Sequence, residues 1–227
     1  IGGPHLSAIP FDTMSMFPEF DIGVIGEGDY AIVEVVHAVE ERKPLDRIEG
    51  LIVRKNGEIF TTQPRKRIKE LDKLPMPAWD LLPDLAKYYS PPVHTLKRMP
   101  GALLVTSRGC SGSCSFCANS VFGRVLRTYS AEYTFAMIKD LYNNYGIREI
   151  QLRDDNFAAD HKRLIRLCEI LKREKLDIVW TCTGRVDMVN SSILKMMKET
   201  GCWQIWYGIE SGSQAVLNAI KKNITIE

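Results

Sequence analysis

Three of the six cysteines are crowded into one short run, Arg108-Gly109-Cys110-Ser111-Gly112-Ser113-Cys114-Ser115-Phe116-Cys117, with the spacing C-x3-C-x2-C. Three thiolates on one glycine-bearing loop can converge on a single metal centre. Structural zinc takes four closed ligands, and no Cys or His completes a quartet nearby; His94 and His161 are distant in sequence. The bacterial ferredoxin run has a fourth Cys followed by Pro, whereas Cys117 is followed by Ala118 and Asn119. Three thiolates on a four-iron cluster leave one iron without a protein ligand, and an open coordination position marks a catalytic metal rather than a structural one. Of the remaining cysteines, Cys168 falls on the apolar stripe of a helix, and Cys182 and Cys202 fall in strands; these three read as core.

Further polar residues stand at the ends of predicted strands. Asp154 and Asp155 are adjacent, and neighbours on a strand alternate in direction, so only one of them can point inward. Asp160 reads as a helix N-cap. Arg185 is either a partner for a carboxylate or a surface cation. Glu210 precedes Ser211-Gly212 and is a candidate either for ligand binding or for capping the next helix. The basic cluster Arg65-Lys66-Arg67 is expected to be a solvated face.

The elements that would position these residues follow from periodicity. Residues 21–43 read as strand, glycine turn and helix, with Ile32, Val35, Val36 and Val39 at helix spacing and Pro44 behind them. This helix is expected to pack through that stripe. Asn56-Gly57 between two β-rich runs signals a hairpin. Repeated prolines from 64 to 100 prevent long regular elements there, so the stretch is expected to be a linker that packs through Trp79, Leu81 and Leu82. From Gly101 onward strands alternate with helices: strands at 102–106, 147–152, 178–182 and 203–207, helices at 130–145, 162–175, 191–199 and 214–220. Such alternation means βα units and a parallel sheet. The four units could form an open sheet or the first part of a barrel. The cysteine run follows the first of these strands, at the edge where α/β proteins carry their sites.

Composition bounds the rest. The chain has 227 residues, 45% hydrophobic and 26% charged, which is the make-up of a globular protein. A formal net charge of +2 gives no footprint for nucleic acid or an anionic membrane. No apolar run approaches the roughly 20 residues of a membrane span. Dispersed cysteines without a visible signal peptide point to a reducing compartment, the cytoplasm. The chain begins without Met inside a Gly2-Gly3-Pro4 turn and reads as a segment of a longer protein.

With these residues in place, the chain resembles the radical S-adenosylmethionine superfamily. The resemblance rests on C-x3-C-x2-C after the first strand of a βα series, with the aromatic Phe116 before the last cysteine. Gly2-Gly3-Pro4-His5 and Val24 to Asp29 (VIGEGD) resemble the end of the cobalamin-binding domain found in one subgroup, and Leu71 to Pro83 resembles its linker. Gly123 to Ser130, Arg153 to Asp160, Thr183 to Asp187 and Tyr207 to Ser213 resemble the motifs after successive strands. The resemblance covers nearly the whole chain. It implies an α/β fold: a partial TIM-like barrel of about four βα units at 101–227, a linker with a hairpin at 46–100, and a remnant of a Rossmann-like cobalamin-binding domain at 1–45. It implies a [4Fe–4S] cluster on Cys110, Cys114 and Cys117, and S-adenosylmethionine near Phe116, Asp154, Asp155, Arg185 and Glu210. It further implies cobalamin near Gly2, Gly3, Gly26 and Gly28. The Asp-x-His-x-x-Gly segment of that domain is not in this sequence. The implied activity is reductive cleavage of S-adenosylmethionine to a 5′-deoxyadenosyl radical, with methyl transfer to an unactivated carbon of a small molecule. The alternatives are a radical cyclase or oxidase of the tetrapyrrole ester type and, from another class, an iron–sulfur carrier or zinc module. Flavodoxin or ferredoxin is the implied electron donor.

Overall fold

The computed structural model describes residues 1–119 and 121–226. The chain forms two compact units, Ile1–Lys69 with Ala118–Val125, and Glu70–Cys117 with Leu126–Glu227.

The first unit opens with two short helices, α1 (Pro4–Ala8) and α2 (Pro10–Met16), each with a proline in its first turn, where the missing N–H costs nothing. Strand β1 (Ile22–Val24) leads through the Gly26 turn to helix α3 (Ala31–Glu40). The hairpin follows as expected: β2 (Leu51–Lys55) and β3 (Glu58–Thr61) are joined by Asn56 and Gly57, both at positive φ as a type I′ turn requires. The three strands form one antiparallel sheet in the order β1-β2-β3. Its core gathers Val24, Ala31, Val35, Ala38, Leu51 and Val53.

Here the structure corrects two expectations. The face of α3 that packs is Ala31, Val35 and Ala38; Ile32, Val36 and Val39 are exposed. The expected stripe was one residue off in phase, because alanines carry the true contact and the larger valines dominate a hydropathy reading. Arg65 also leaves its solvated cluster: its side chain is only 17% exposed and forms a two-point ion pair with Glu34 of α3 while donating to the Glu49 carbonyl.

The second unit begins with the proline-rich stretch, which forms only single turns and the four-residue helix α4 (Leu85–Tyr88). Trp79 packs against the core, edge-on to Tyr145. Leu81 and Leu82 do not; Leu81 is 80% exposed, since the helical turn Trp79–Leu81 spends its one inward direction on the indole. Four parallel strands follow in the spatial order β4 (Gly101–Leu104), β7 (Glu149–Leu152), β8 (Val179–Gly184) and β9 (Cys202–Tyr207). A two-residue ladder, β5 (Ser107–Arg108) with β6 (Arg127–Thr128), brackets the cysteine loop. Helices α5 (Ala131–Asn144), α6 (His161–Glu174), α7 (Ser191–Glu199) and α8 (Gln214–Ala219) connect or follow the strands.

Each of the first three has a side-chain N-cap: Ser130 accepts from Tyr133 N–H, Asp160 from Arg163 N–H and Asn190 from Ile193 N–H. Each such cap is worth about 1 kcal/mol. One face of the sheet, with Ala102, Leu104, Ile150, Leu152, Trp180 and Cys182, packs on the helices and forms the core. Cys168 and Cys202 join it, as expected. The opposite face is mixed: Gln151 and Thr181 are paired in register and both buried, while Leu103 is half exposed. Among the described residues no helix is long and apolar enough to cross a membrane.

Candidate active site

Beyond Leu104 the chain turns through Thr106 and Ser107 into the cysteine loop. The turn is fixed from the neighbouring strand. Asp154, just past β7 and 2% exposed, accepts from the Thr106 N–H, the Thr106 hydroxyl (2.6 Å) and the Ser107 N–H (2.9 Å). Arg163 of α6 stands behind it at 3.7 Å and also donates to the Thr106 hydroxyl. Of the two aspartates Asp154 is the buried one, and its oxygens are committed to the protein. Asp155 is exposed as a residue, yet its carboxyl is partly shielded from water, and this desolvation, followed by the Asp154 charge, raises it above the usual range.

In the loop, Cys114 is buried, Cys110 half-buried and Cys117 exposed. Gly112 is the pivot. Its N–H donates to the Cys110 sulfur at 3.4 Å, and a Cβ placed on it would lie 3.4 Å from Cys110 Sγ and 3.9 Å from Cys114 Sγ. Two thiols therefore flank one point, while Cys117 lies on the outer turn of the same loop. Among the described residues no three His, Cys, Asp or Glu side chains are already gathered around a metal position. The donor set itself, three thiols on a loop short enough to close, fits an iron–sulfur cluster.

Arg185 follows β8 and reaches the same point: its Nη1 lies 3.9 Å from that Cβ position. It is held by a two-point ion pair with Asp187 (2.9 Å at both contacts) and by the Lys222 carbonyl at 2.9 Å. The Asp187 bond, supplemented by the charges of Asp187, Cys114 and Cys110, raises the Arg185 guanidinium; reciprocally, Arg185 holds Asp187 below the usual carboxylate range. The choice between carboxylate partner and surface cation is thus settled for the ion pair.

Glu210 is not a helix cap, since Ser213 begins α8 without a side-chain cap bond. Its carboxylate pairs with Lys222 at 2.9 Å, against Gly208, where a Cβ would come within 2.6 Å of the Glu210 carboxylate. The segment after α8 also secures the cysteine loop: Ser115 N–H donates to the Ile220 carbonyl at 2.9 Å and Asn223 donates to Ser113 Oγ at 3.0 Å. Phe116 is 55% exposed, with the Lys222 ammonium 5.9 Å from its ring.

Sequence reasoning missed Asp187, Lys222 and Asn223. Asp187 was available as an i, i+2 partner; the other two carry no local signal. In the first unit, Gly2 and Gly28 line a groove of about 640 Å³ together with Ile22, Val24, Ile32 and Val35. Gly3 and Gly26 sit at positive φ and turn the chain instead.

Residues 104–227 match the model of the radical SAM superfamily. The chain belongs to that superfamily. An uncharacterized methyltransferase of Pyrococcus horikoshii is 39% identical over 226 residues, 99% of this chain and 48% of that protein. An anaerobic magnesium-protoporphyrin IX monomethyl ester cyclase of Synechocystis is 25% identical over 213 residues, 93% of this chain and 41% of its own length. The chain thus spans about half or less of the length of these relatives. Among solved structures, the cobalamin-dependent S-adenosylmethionine radical enzyme OxsB superposes with a TM-score of 0.81 at 24% identity, covering 99% of this chain and 32% of OxsB. The radical methyltransferase TsrM of Kitasatospora setae gives a TM-score of 0.74 at 17% identity, covering 97% and 43%. The α/β fold of radical SAM enzymes is therefore this chain's fold.

Proposed function

We propose that the protein is a cobalamin-dependent radical S-adenosylmethionine enzyme that transfers a methyl group to an unactivated carbon of a small molecule. The observation that carries this is the Gly112 pivot: two thiols facing one point, with a third on the same loop, at the carboxyl edge of a parallel sheet in a radical SAM chain. Relatives named as methyltransferases support it. A radical cyclase or oxidase is the second reading, favoured by the ester cyclases among the relatives. Against a simple electron carrier or zinc module stands the absence of a fourth Cys or His ligand near the loop in the sequence.

In this reading Cys110, Cys114 and Cys117 hold a [4Fe–4S] cluster. When bound, the cluster supplies the electron that cleaves S-adenosylmethionine and yields a 5′-deoxyadenosyl radical. Asp155, whose oxygens are not committed as those of Asp154 are, accepts from the methionyl amine. Glu210 and Arg185 face the rest of the cosubstrate, with Phe116 at its edge. Asp154 and Arg163 hold the turn from which the loop departs. Gly2 and Gly28 let the cobalamin tail approach the backbone in the groove of the first unit, and Gly3 and Gly26, at positive φ, make the chain turns that precede α1 and α3. Residues 1–45 are the last part of the cobalamin domain, 46–100 the linker and 101–227 the first part of the barrel. Flavodoxin or ferredoxin supplies electrons, in the cytoplasm.

The test is anaerobic reconstitution of the full-length protein, followed by iron and sulfide analysis and a search for 5′-deoxyadenosine after reduction. Zinc in place of iron, or an intact S-adenosylmethionine pool, refutes the proposal.

A further inference from the structure

The face of the parallel sheet opposite the helices carries a cation that nothing in the site so far uses. Arg153 follows β7 directly and lies on the face opposite the helices. Its guanidinium stacks on the indole of Trp206 in β9, 3.9 Å from the ring centroid. It is held from behind: Arg153 Nη2 donates to Gln151 Oε1 at 2.6 Å. Gln151 is itself fully buried, and its Nε2 donates to the Thr95 carbonyl (2.9 Å) and the Thr95 hydroxyl (3.1 Å). A fixed amide thus orients the arginine, and an aromatic plane fixes the tilt of its fork.

What distinguishes Arg153 is its partner. Arg65, Arg98, Arg163 and Arg185 each pair with a carboxylate, those of Glu34, Asp177, Asp154 and Asp187. No Asp or Glu among the described residues pairs with Arg153. One N–H is taken by Gln151, which leaves the other donors of the five-donor fork without a partner among the described residues. Beside it on the same face stand Leu103 and Val105, about half exposed although they flank a buried strand. An oriented, stacked and unpaired guanidinium next to apolar surface is the arrangement that takes an oxyanion on an apolar body.

We infer that Arg153, laid on Trp206 and held by Gln151, binds the anionic group, carboxylate or phosphate, of the substrate, and so selects substrates that join an oxyanion to an apolar body. This rests on the radical SAM reading for what then happens to that substrate, but the binding itself does not depend on it. Arg153 is a specificity residue and takes no part in the bond changes.

The test uses the anaerobically reconstituted full-length protein and two probes of the same shape, octanoate and its neutral counterpart octanamide, titrated by calorimetry. Octanoate should bind about tenfold or more tightly than octanamide, the ratio expected of a charge-assisted hydrogen bond. Arg153→Gln should bring the two within about twofold, and Arg153→Lys should keep part of the preference. S-adenosylmethionine affinity should be unchanged in both variants. Equal binding of the probes by the unaltered protein, or a preference that survives Arg153→Gln, overturns the inference and leaves Arg153 as a cation covering an indole. Weakened S-adenosylmethionine binding in Arg153→Gln, with octanoate competing against the cosubstrate, also overturns it, because the oxyanion is then the methionyl carboxylate. The yield of 5′-deoxyadenosine from the same preparation reports on the radical reading separately. Octanoate selectivity without that product supports the anion site and sinks the proposed chemistry.

Discussion

Asp154 and Asp155 are neighbours in sequence, yet their replacement should change stability in opposite directions. In Asp154→Ala the Thr106 and Ser107 N–H groups and the Thr106 hydroxyl lose their acceptor. Arg163, with its side chain 5% exposed, loses its carboxylate. A buried donor left without a partner costs about 1–3 kcal/mol, and breaking a buried ion pair by removing one member costs about 3–5 kcal/mol. These losses belong to one network and do not add, so the expected cost is about 4 kcal/mol. That is a large part of the roughly 5–15 kcal/mol that holds a typical domain. Asp155 has the reverse sign. Burial, and after it the Asp154 charge, raises its carboxyl in the folded state. Folding therefore opposes ionisation of Asp155, and above the folded pKa the charge works against the fold. Asp155→Asn removes that opposition and should leave the protein as stable or slightly more so at pH 7, while weakening S-adenosylmethionine binding. Urea unfolding followed by tryptophan fluorescence compares the two variants, and hydrogen exchange of the 104–109 peptide tests the mechanism. Exchange there should accelerate in Asp154→Ala and stay unchanged in Asp155→Asn. Equal midpoints for the two variants, or unchanged exchange in Asp154→Ala, would refute this account of the turn.

Replacing Cys110, Cys114 or Cys117 by Ala should abolish the iron–sulfur absorbance of the reconstituted protein, whereas Cys168→Ala, Cys182→Ala and Cys202→Ala should retain it; visible spectra and iron content decide. The Arg185–Asp187 pair lowers the Asp187 pKa, so its contribution is complete above the unfolded carboxylate value of about 3.9 and is lost as pH falls through the lower folded value. Asp187→Asn should accordingly flatten the acid limb of the stability profile, with thermal unfolding measured from pH 2 to 7 as the check. Gly201→Ala should destabilise by about 2 kcal/mol or more, because φ is +96° and the new Cβ would lie 2.6 Å from the Ile178 carbonyl oxygen, a backbone atom that cannot turn aside. An unfolding midpoint equal to that of the unaltered protein would contradict it.

The sequence by itself determined the strand and helix order of residues 101–227, because a period of two against 3.6 is a local property and α5, α6 and α7 each carry a side-chain cap of their own. Ser130, Asp160 and Asn190 begin helices within a residue of where the pattern starts. It determined the Asn56-Gly57 hairpin, since few residues tolerate positive φ at both turn positions, and it singled out the cysteine loop, since ligand spacing is written along the chain. Only the tertiary structure decided which of two adjacent aspartates is structural, because that depends on Thr106 and Ser107, some 47 residues away and brought close by parallel pairing of β4 with β7. It alone decided that α3 packs through its alanines, since small side chains permit the close approach that hydropathy undervalues. The partners of Arg185 and Glu210 at Lys222, and the stacking of Arg153 on Trp206, were equally hidden. Each joins residues from different strands or from the segment after α8, and a contact across a sheet leaves no trace in the spacing of either strand.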